Sequence, residues 1–117
     1  MKKIYHLSTC DTCRKILREL DPPPGTVLQD IKTEPLTPAQ LEELKQAAGS
    51  YEALFSKRAR LYKERNLREA NLQESDFRAL LLEHYTFLKR PVTLANGAVF
   101  IGNSAATTAA AAEALHR

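Results

Sequence analysis

Apolar and polar positions along the chain change period several times, and each change marks an element. Ile4, Tyr5 and Leu7 make a short apolar run that predicts a strand over 3–7. Ile16, Leu17 and Leu20 then fall on one face of a helix over 11–20, which Pro22, Pro23, Pro24 and Gly25 bring to a stop. Thr26–Ile31 reads as a second strand. Strand, helix and strand in this order predict a parallel, right-handed βαβ unit.

The middle of the chain has helical periodicity. Thr37, Pro38 and Gln40 form an N-terminal capping pattern for a helix over 38–48, with Leu41 and Leu44 inward and Gly49 at its end. One or two short helices are expected over 51–66, with Leu54, Phe55, Leu61 and Tyr62 inward. Ser75 and Asp76 are the expected caps of a further helix carrying Phe77, Leu80, Leu81 and His84. The period then returns to two. Val92–Leu94 and Ala98–Ile101 flank Ala95-Asn96-Gly97, a strong hairpin signal. The alanine-rich stretch from Ser104 to His116 predicts a closing helix able to pack tightly against a sheet. The order β-α-β, helices, β-hairpin, α is that of an α/β, thioredoxin-like fold with a four-stranded mixed sheet. One domain over 1–117 is expected, with a helical insertion over about 37–86.

Composition agrees with a single globular domain: 117 residues, 44% of them apolar. The Met1-Lys2-Lys3 start is not followed by an apolar run long enough for a signal peptide, and no stretch reaches transmembrane length. A cytoplasmic location is therefore expected. The net charge of +3 is too small for a dedicated nucleic-acid binder. No direct nucleic-acid or membrane partner is expected. Lys57, Arg58, Arg60, Lys63, Arg65 and Arg68 do concentrate in one segment with Glu64 as its only acid. A solvated helix face accounts for most of them.

The chemistry lies in the only two cysteines, Cys10 and Cys13, at the junction of the first strand and first helix. A thiol at a helix N-terminus meets unpaired N–H groups and the positive end of the helix dipole, and both favour thiolate. A second thiol one turn later lies within reach of it. In a reducing compartment such a pair points to redox chemistry rather than a structural staple. Cys10 is the expected nucleophile and Cys13 the resolving thiol. A zinc site is not expected. The pair makes half a tetrahedral set, no second knuckle accompanies it, and His6, His84 and His116 read as surface or structural residues.

Four segments carry a family resemblance: Cys10-x-x-Cys13-Arg14-Lys15; Leu54-Phe55-Ser56-Lys57-Arg58 with Tyr62-Lys63-Glu64; Phe87-Leu88-Lys89-Arg90-Pro91-Val92; and Gly97-x-Val99-x-Ile101-Gly102. Together they resemble the arsenate reductase (ArsC)/Spx family over nearly the whole chain. The resemblance implies that Cys10 is the nucleophile, that Pro91 is cis, and that Arg90 holds an oxyanion. Arg58 matches an arginine of Spx-like members. Arsenate reductases of this kind carry their middle arginine where this chain has Ser56, their last where it has Asn103, and lack the second cysteine.

Arg58 and Arg90, with N–H groups of residues 11–13, suit a small anion such as a glutathione carboxylate. Arg14 and Arg90 are expected to lower the Cys10 pKa, and Ser8, Thr9 and Thr12 to hydrogen-bond its sulfur. The implied function is thiol–disulfide exchange, with no bound cofactor. Glutathione serves as possible co-substrate, and glutathione, glutaredoxin or thioredoxin as reductant. An Spx-like redox regulator binding the C-terminal domain of the RNA polymerase α subunit is the first alternative, and arsenate reduction the second.

Overall fold

Ile4 and Tyr5, adjacent on the first strand, are both fully buried, so this strand must be covered on both of its faces. The computed structural model describes all 117 residues, Met1–Arg117, and places that strand, β1 (Lys2–His6), inside a four-stranded sheet. The other strands are β2 (Val27–Asp30), β3 (Val92–Ala95) and β4 (Ala98–Ile101), in the order β2-β1-β3-β4. β1 runs parallel to β2 and antiparallel to β3, and β3 pairs antiparallel with β4. The mixed sheet and its connections are the thioredoxin-like arrangement expected from the order of elements.

Two compact units divide the chain, one formed by Met1–Glu34 with Arg90–Arg117 and the other by Pro35–Lys89. The first holds the sheet with α1 (Asp11–Leu20) and α5 (Ala105–Leu115). Ile4 and Ala95 of the sheet share one core with Ile16 and Leu20 of α1 and Ala111, Ala114 and Leu115 of α5. The alanines of α5 work as expected: a side chain of one methyl group lets a helix backbone approach closely. α1 ends with Asp21 in the left-handed region (φ 44°), its N–H donating to the Leu17 carbonyl, ahead of the prolines. The β3–β4 turn has Asn96 and Gly97 at φ 54° and 86°, the pair of positive angles a tight hairpin requires.

The second unit contains α2 (Pro38–Ala48), α3 (Arg60–Glu64) and α4 (Glu74–Glu83), with short 3-10 turns at Glu52–Leu54, Leu67–Glu69 and Tyr85–Phe87. The helical segment expected over about 37–86 falls within it. Thr37 and Gln40 make the expected capping box on α2. Phe55 lies at the centre, with ring centroids 4.8 Å from Phe77, 5.2 Å from Phe87 and 5.8 Å from Tyr62. Leu61 and Tyr62, expected inward, are only half-buried.

The start of α4 corrects the sequence reading. Its cap is Gln73, not Ser75 or Asp76: the Asp76 carboxylate accepts the Gln73 N–H at 2.8 Å and closes a capping box. Glu74 is the first residue of the helix, and its carboxylate accepts the N–H groups of Tyr51 (2.8 Å) and Glu52 (3.0 Å). No helix is long and apolar enough to cross a membrane.

Candidate active site

The turn that joins β1 to α1 carries the two thiols. Leu7 is the last buried residue before it, and the Leu7 carbonyl accepts the Cys10 N–H at 3.1 Å, closing the turn. Cys10 is the N-cap of α1, with extended backbone (φ −99°, ψ 117°), and its carbonyl accepts the Arg14 N–H at 3.0 Å. No side chain caps this helix. The first-turn N–H groups that a serine or aspartate would usually satisfy therefore face sulfur. Both cysteines are free thiols, Cys10 half-buried and Cys13 buried on the core side of α1.

Their electrostatics are opposed. Burial pushes the Cys10 thiol up. The Cys13 N–H, the Cys13 thiol, the Arg90 charge and the Thr12 N–H together outweigh that and bring it below the usual thiol range. Burial likewise pushes Cys13 up, and a backbone hydrogen bond with Leu7 offsets it only in part. The negative charge and hydrogen bond of Cys10 raise it further, Arg90 lowers it somewhat, and the result is about 11. Cys10 is thus the more acidic of the two thiols, and Cys13 is the one that keeps its proton.

Arg90 reaches this site through β3. Val92 pairs with Tyr5 across the antiparallel β1–β3 ladder, so the residues just before Val92 stand beside the turn that follows β1. The Arg90–Pro91 peptide is cis, as the resemblance implied, and the Pro91 carbonyl accepts the Gly102 N–H at 3.0 Å from the end of β4.

The remaining expected residues are placed as follows. Thr12 contributes its backbone N–H to Cys10, and Thr9 and Thr12 are both exposed. Arg14 forms an ion pair with Asp11 and donates to the Ser8 carbonyl at 3.3 Å. Arg58 belongs to the second unit, where it is exposed and its N–H donates to Ser56 Oγ at 3.3 Å. The Ser8 hydroxyl, expected to donate to sulfur, donates instead to Asp30 at 2.5 Å, because the parallel pairing of β1 and β2 brings a carboxylate nearer to it.

Asp30 is the residue that sequence reasoning missed. An acid closing the second strand of a parallel βαβ unit lies at the same edge as the first βα turn, and that position was the available signal. No three His, Cys, Asp or Glu side chains converge to hold a metal ion. Two histidines have structural partners: His84 Nδ1 accepts the Thr86 N–H at 3.0 Å, and His116 Nε2 lies 2.9 Å from the Leu20 carbonyl.

Comparison with known proteins agrees with this architecture. The uncharacterized protein YfgD of Escherichia coli K12 is 32% identical over 105 residues, covering 86% of this chain and 87% of its own length. An arsenate reductase from Vibrio cholerae superposes with a TM-score of 0.71 at 25% identity, covering 97% of this chain and 96% of that one. The YFFB (PA3664) protein superposes at 0.75 with 22% identity, over 95% and 98% of the two chains, a likeness of fold alone. The ArsC family model matches residues 5–111, a span that takes in both thiols, Arg90 and cis Pro91. With that match over most of its length, the chain belongs to the ArsC family.

Proposed function

We propose that this protein is a thiol–disulfide oxidoreductase in which Cys10 is the nucleophile and Cys13 the resolving thiol. The observation that carries the reading is the opposed setting of the two sulfurs, one lowered and one raised to about 11, within hydrogen-bonding reach of each other. The Cys10 thiolate attacks one sulfur of a substrate disulfide. That S–S bond breaks, one half becomes joined to Cys10, and the other leaves as a thiolate.

Resolution then depends on Cys13 becoming more acidic. Two of the influences that raise its pKa, the Cys10 charge and the Cys10 hydrogen bond, disappear once Cys10 is in a mixed disulfide. Cys13 loses its proton to the departing thiolate and attacks Cys10 Sγ. The Cys10–Cys13 bond forms, the second half of the substrate leaves, and two electrons have passed to the substrate. Glutathione, with glutaredoxin, or thioredoxin returns the pair to dithiol.

Arg90 and the first-turn N–H groups of α1 form the anion-binding part of the site, suited to a carboxylate of a glutathione-like substrate. Arsenate, with a larger charge to neutralise, is disfavoured by Ser56 and Asn103 at the positions where the resemblance expects arginines. Cys13→Ser tests the reading: the nucleophile remains and resolution is blocked, so incubation with oxidised glutathione should accumulate a mixed disulfide on Cys10. Wild-type protein should instead yield the Cys10–Cys13 disulfide. Absence of any adduct on Cys10 in the variant would sink the proposal, and robust glutaredoxin-dependent arsenate turnover would replace it with the arsenate reading.

One observation favours a second reading, an Spx-like regulator that docks on the C-terminal domain of the RNA polymerase α subunit. In the second unit Lys57, Arg60 and Arg65 are ion-paired with Glu52, Glu64 and Glu83, whereas Arg58, Lys63 and Arg68 form no ion pair and are exposed to an acidic partner. Redox-dependent capture of the α subunit by the wild type, lost in Arg58→Glu, would support it. No binding in either redox state would remove it.

A further inference from the structure

The edge of the sheet beside the thiols holds a carboxylate that the exchange reaction does not use. Asp30 ends β2 opposite His6 of β1, and the Ile31 N–H donates to the His6 carbonyl at 2.9 Å. Its Oδ2 accepts the Ser8 hydroxyl at 2.5 Å. Its Oδ1 accepts the Ser8 N–H at 3.3 Å and the Lys32 N–H at 3.2 Å. Both carboxylate oxygens thus grip Ser8, one by its side chain and one by its main chain.

We propose that Asp30 is a positioning residue for the nucleophile: it holds the Ser8–Cys10 turn in the geometry that aims the Thr12 and Cys13 N–H groups at the Cys10 sulfur. This rests on the reading of Cys10 as the nucleophile. The turn is short, so its freedom is easily removed. The Leu7 carbonyl takes the Cys10 N–H at one end, the Ser8 carbonyl takes Arg14 on the outer side at 3.3 Å, and Asp30 fixes Ser8 on the strand side. Without Asp30 the Ser8 N–H and hydroxyl turn to water, and the N-cap backbone angles of Cys10 lose a constraint. Distances from sulfur to the helix N–H groups then vary, and donors that are well aimed only part of the time stabilise thiolate less.

The carboxylate is ionised at neutral pH. The Ser8 hydroxyl, against slight desolvation, and then the Lys32 and Ser8 N–H groups and the charge of His6 hold it below the usual carboxylate range. Its charge and its hydrogen bonds therefore act on Cys10 in opposite directions. A nearby negative charge disfavours thiolate, so removing charge alone moves the Cys10 pKa down. Releasing the turn moves it up.

The pH dependence of Cys10 alkylation, followed by mass spectrometry on the full chain, separates these effects. Asp30→Ala should displace the curve upward by about half a pH unit, a roughly threefold smaller thiolate fraction below the pKa. Asp30→Asn keeps one acceptor for Ser8 and puts a donor amide where the other oxygen stood, so its curve should fall between those of the wild type and Asp30→Ala. Ser8→Ala, an exposed change that spares the core, should shift upward by less than Asp30→Ala. A residue that only stabilises the fold lowers the melting temperature and leaves the curve in place. The proposal is overturned if the Asp30→Ala curve superimposes on or falls below the wild type, or if that variant unfolds and Ser8→Ala leaves Cys10 unmoved. A wild-type Cys10 that titrates like an ordinary thiol is a different result: it removes the nucleophile reading itself.

Discussion

The Cys13 thiol donates a hydrogen bond to the Cys10 sulfur, and through that bond the two groups move each other's ionisation in opposite directions. A bond that needs its proton on Cys13 and its charge on Cys10 makes the pair asymmetric before any substrate arrives. Near neutral pH, iodoacetamide should therefore label Cys10 and spare Cys13, which is also the buried partner. Mass spectrometry of the singly labelled protein checks the assignment. Equal labelling of the two residues would show the asymmetry to be absent.

Arg90 acts on both sulfurs with the same sign, lowering each. Replacing it with glutamine should raise the Cys10 alkylation pKa by about one unit or less, since the site is half open to water and the charge is screened. Added salt should shift the wild type in the same direction and leave Arg90→Gln nearly unaffected. An unchanged pKa in the variant would assign the whole lowering to the helix N–H groups and Cys13.

The buried thiol has a consequence for stability at alkaline pH. Cys13 is raised from 9.0 to about 11, so the folded state holds its proton more tightly than the unfolded chain does. Its contribution is fully present below pH 9 and is lost as pH rises through 11. After allowance for screening by nearby water, that difference corresponds to about 1–2 kcal/mol. Cys10, shifted the other way, contributes with the opposite sign, and Cys13→Ser leaves that contribution in place. Denaturant unfolding at a series of pH values from about 8 to about 11 should show the wild type losing its advantage over Cys13→Ser. Parallel stability curves for the two proteins would contradict the burial of this thiol.

Elements were legible in the sequence wherever local chemistry alone decides them. The Asn96-Gly97 turn, the Thr37–Gln40 cap and the Cys10 helix start each depend on residues within four positions of one another, and each is formed as expected. The start of α4 is local, but its cap is a glutamine, Gln73, rather than one of the commoner capping residues beside it. The Ser8 hydroxyl was not legible, because a distant partner decides it. Ser8 lies twenty-two positions from Asp30. A sequence shows that a serine near a thiol has a hydroxyl to offer. Only the parallel register of β1 and β2 shows that a carboxylate takes it first.

Phe55 is where the second unit has most to lose. It is fully buried and packs against Phe77, Phe87 and Tyr62. Its neighbours in the chain also tie two segments together, through Ser56 N–H to the Phe87 carbonyl at 2.7 Å and Lys89 N–H to the Leu54 carbonyl at 2.8 Å. Phe55→Ala should cost about 3–5 kcal/mol in chemical denaturation, the range for removing a buried ring. Phe55→Leu should recover roughly half. A loss below about 1 kcal/mol for the alanine variant would mean that the cluster contributes little.

The cap of α4 separates two neighbouring residues that look alike in the sequence. Asp76 accepts the Gln73 N–H at 2.8 Å and sits in the first turn, where a negative charge also suits the helix dipole. Asp76→Ala should therefore destabilise the protein by about 1 kcal/mol. Ser75 is exposed and lies inside the helix rather than at its cap, so Ser75→Ala should be neutral or slightly stabilising, alanine being the better helix former. Thermal unfolding of the two single variants measures the difference directly. The reverse order, with Ser75→Ala the more damaging, would return the cap to the position the sequence first suggested.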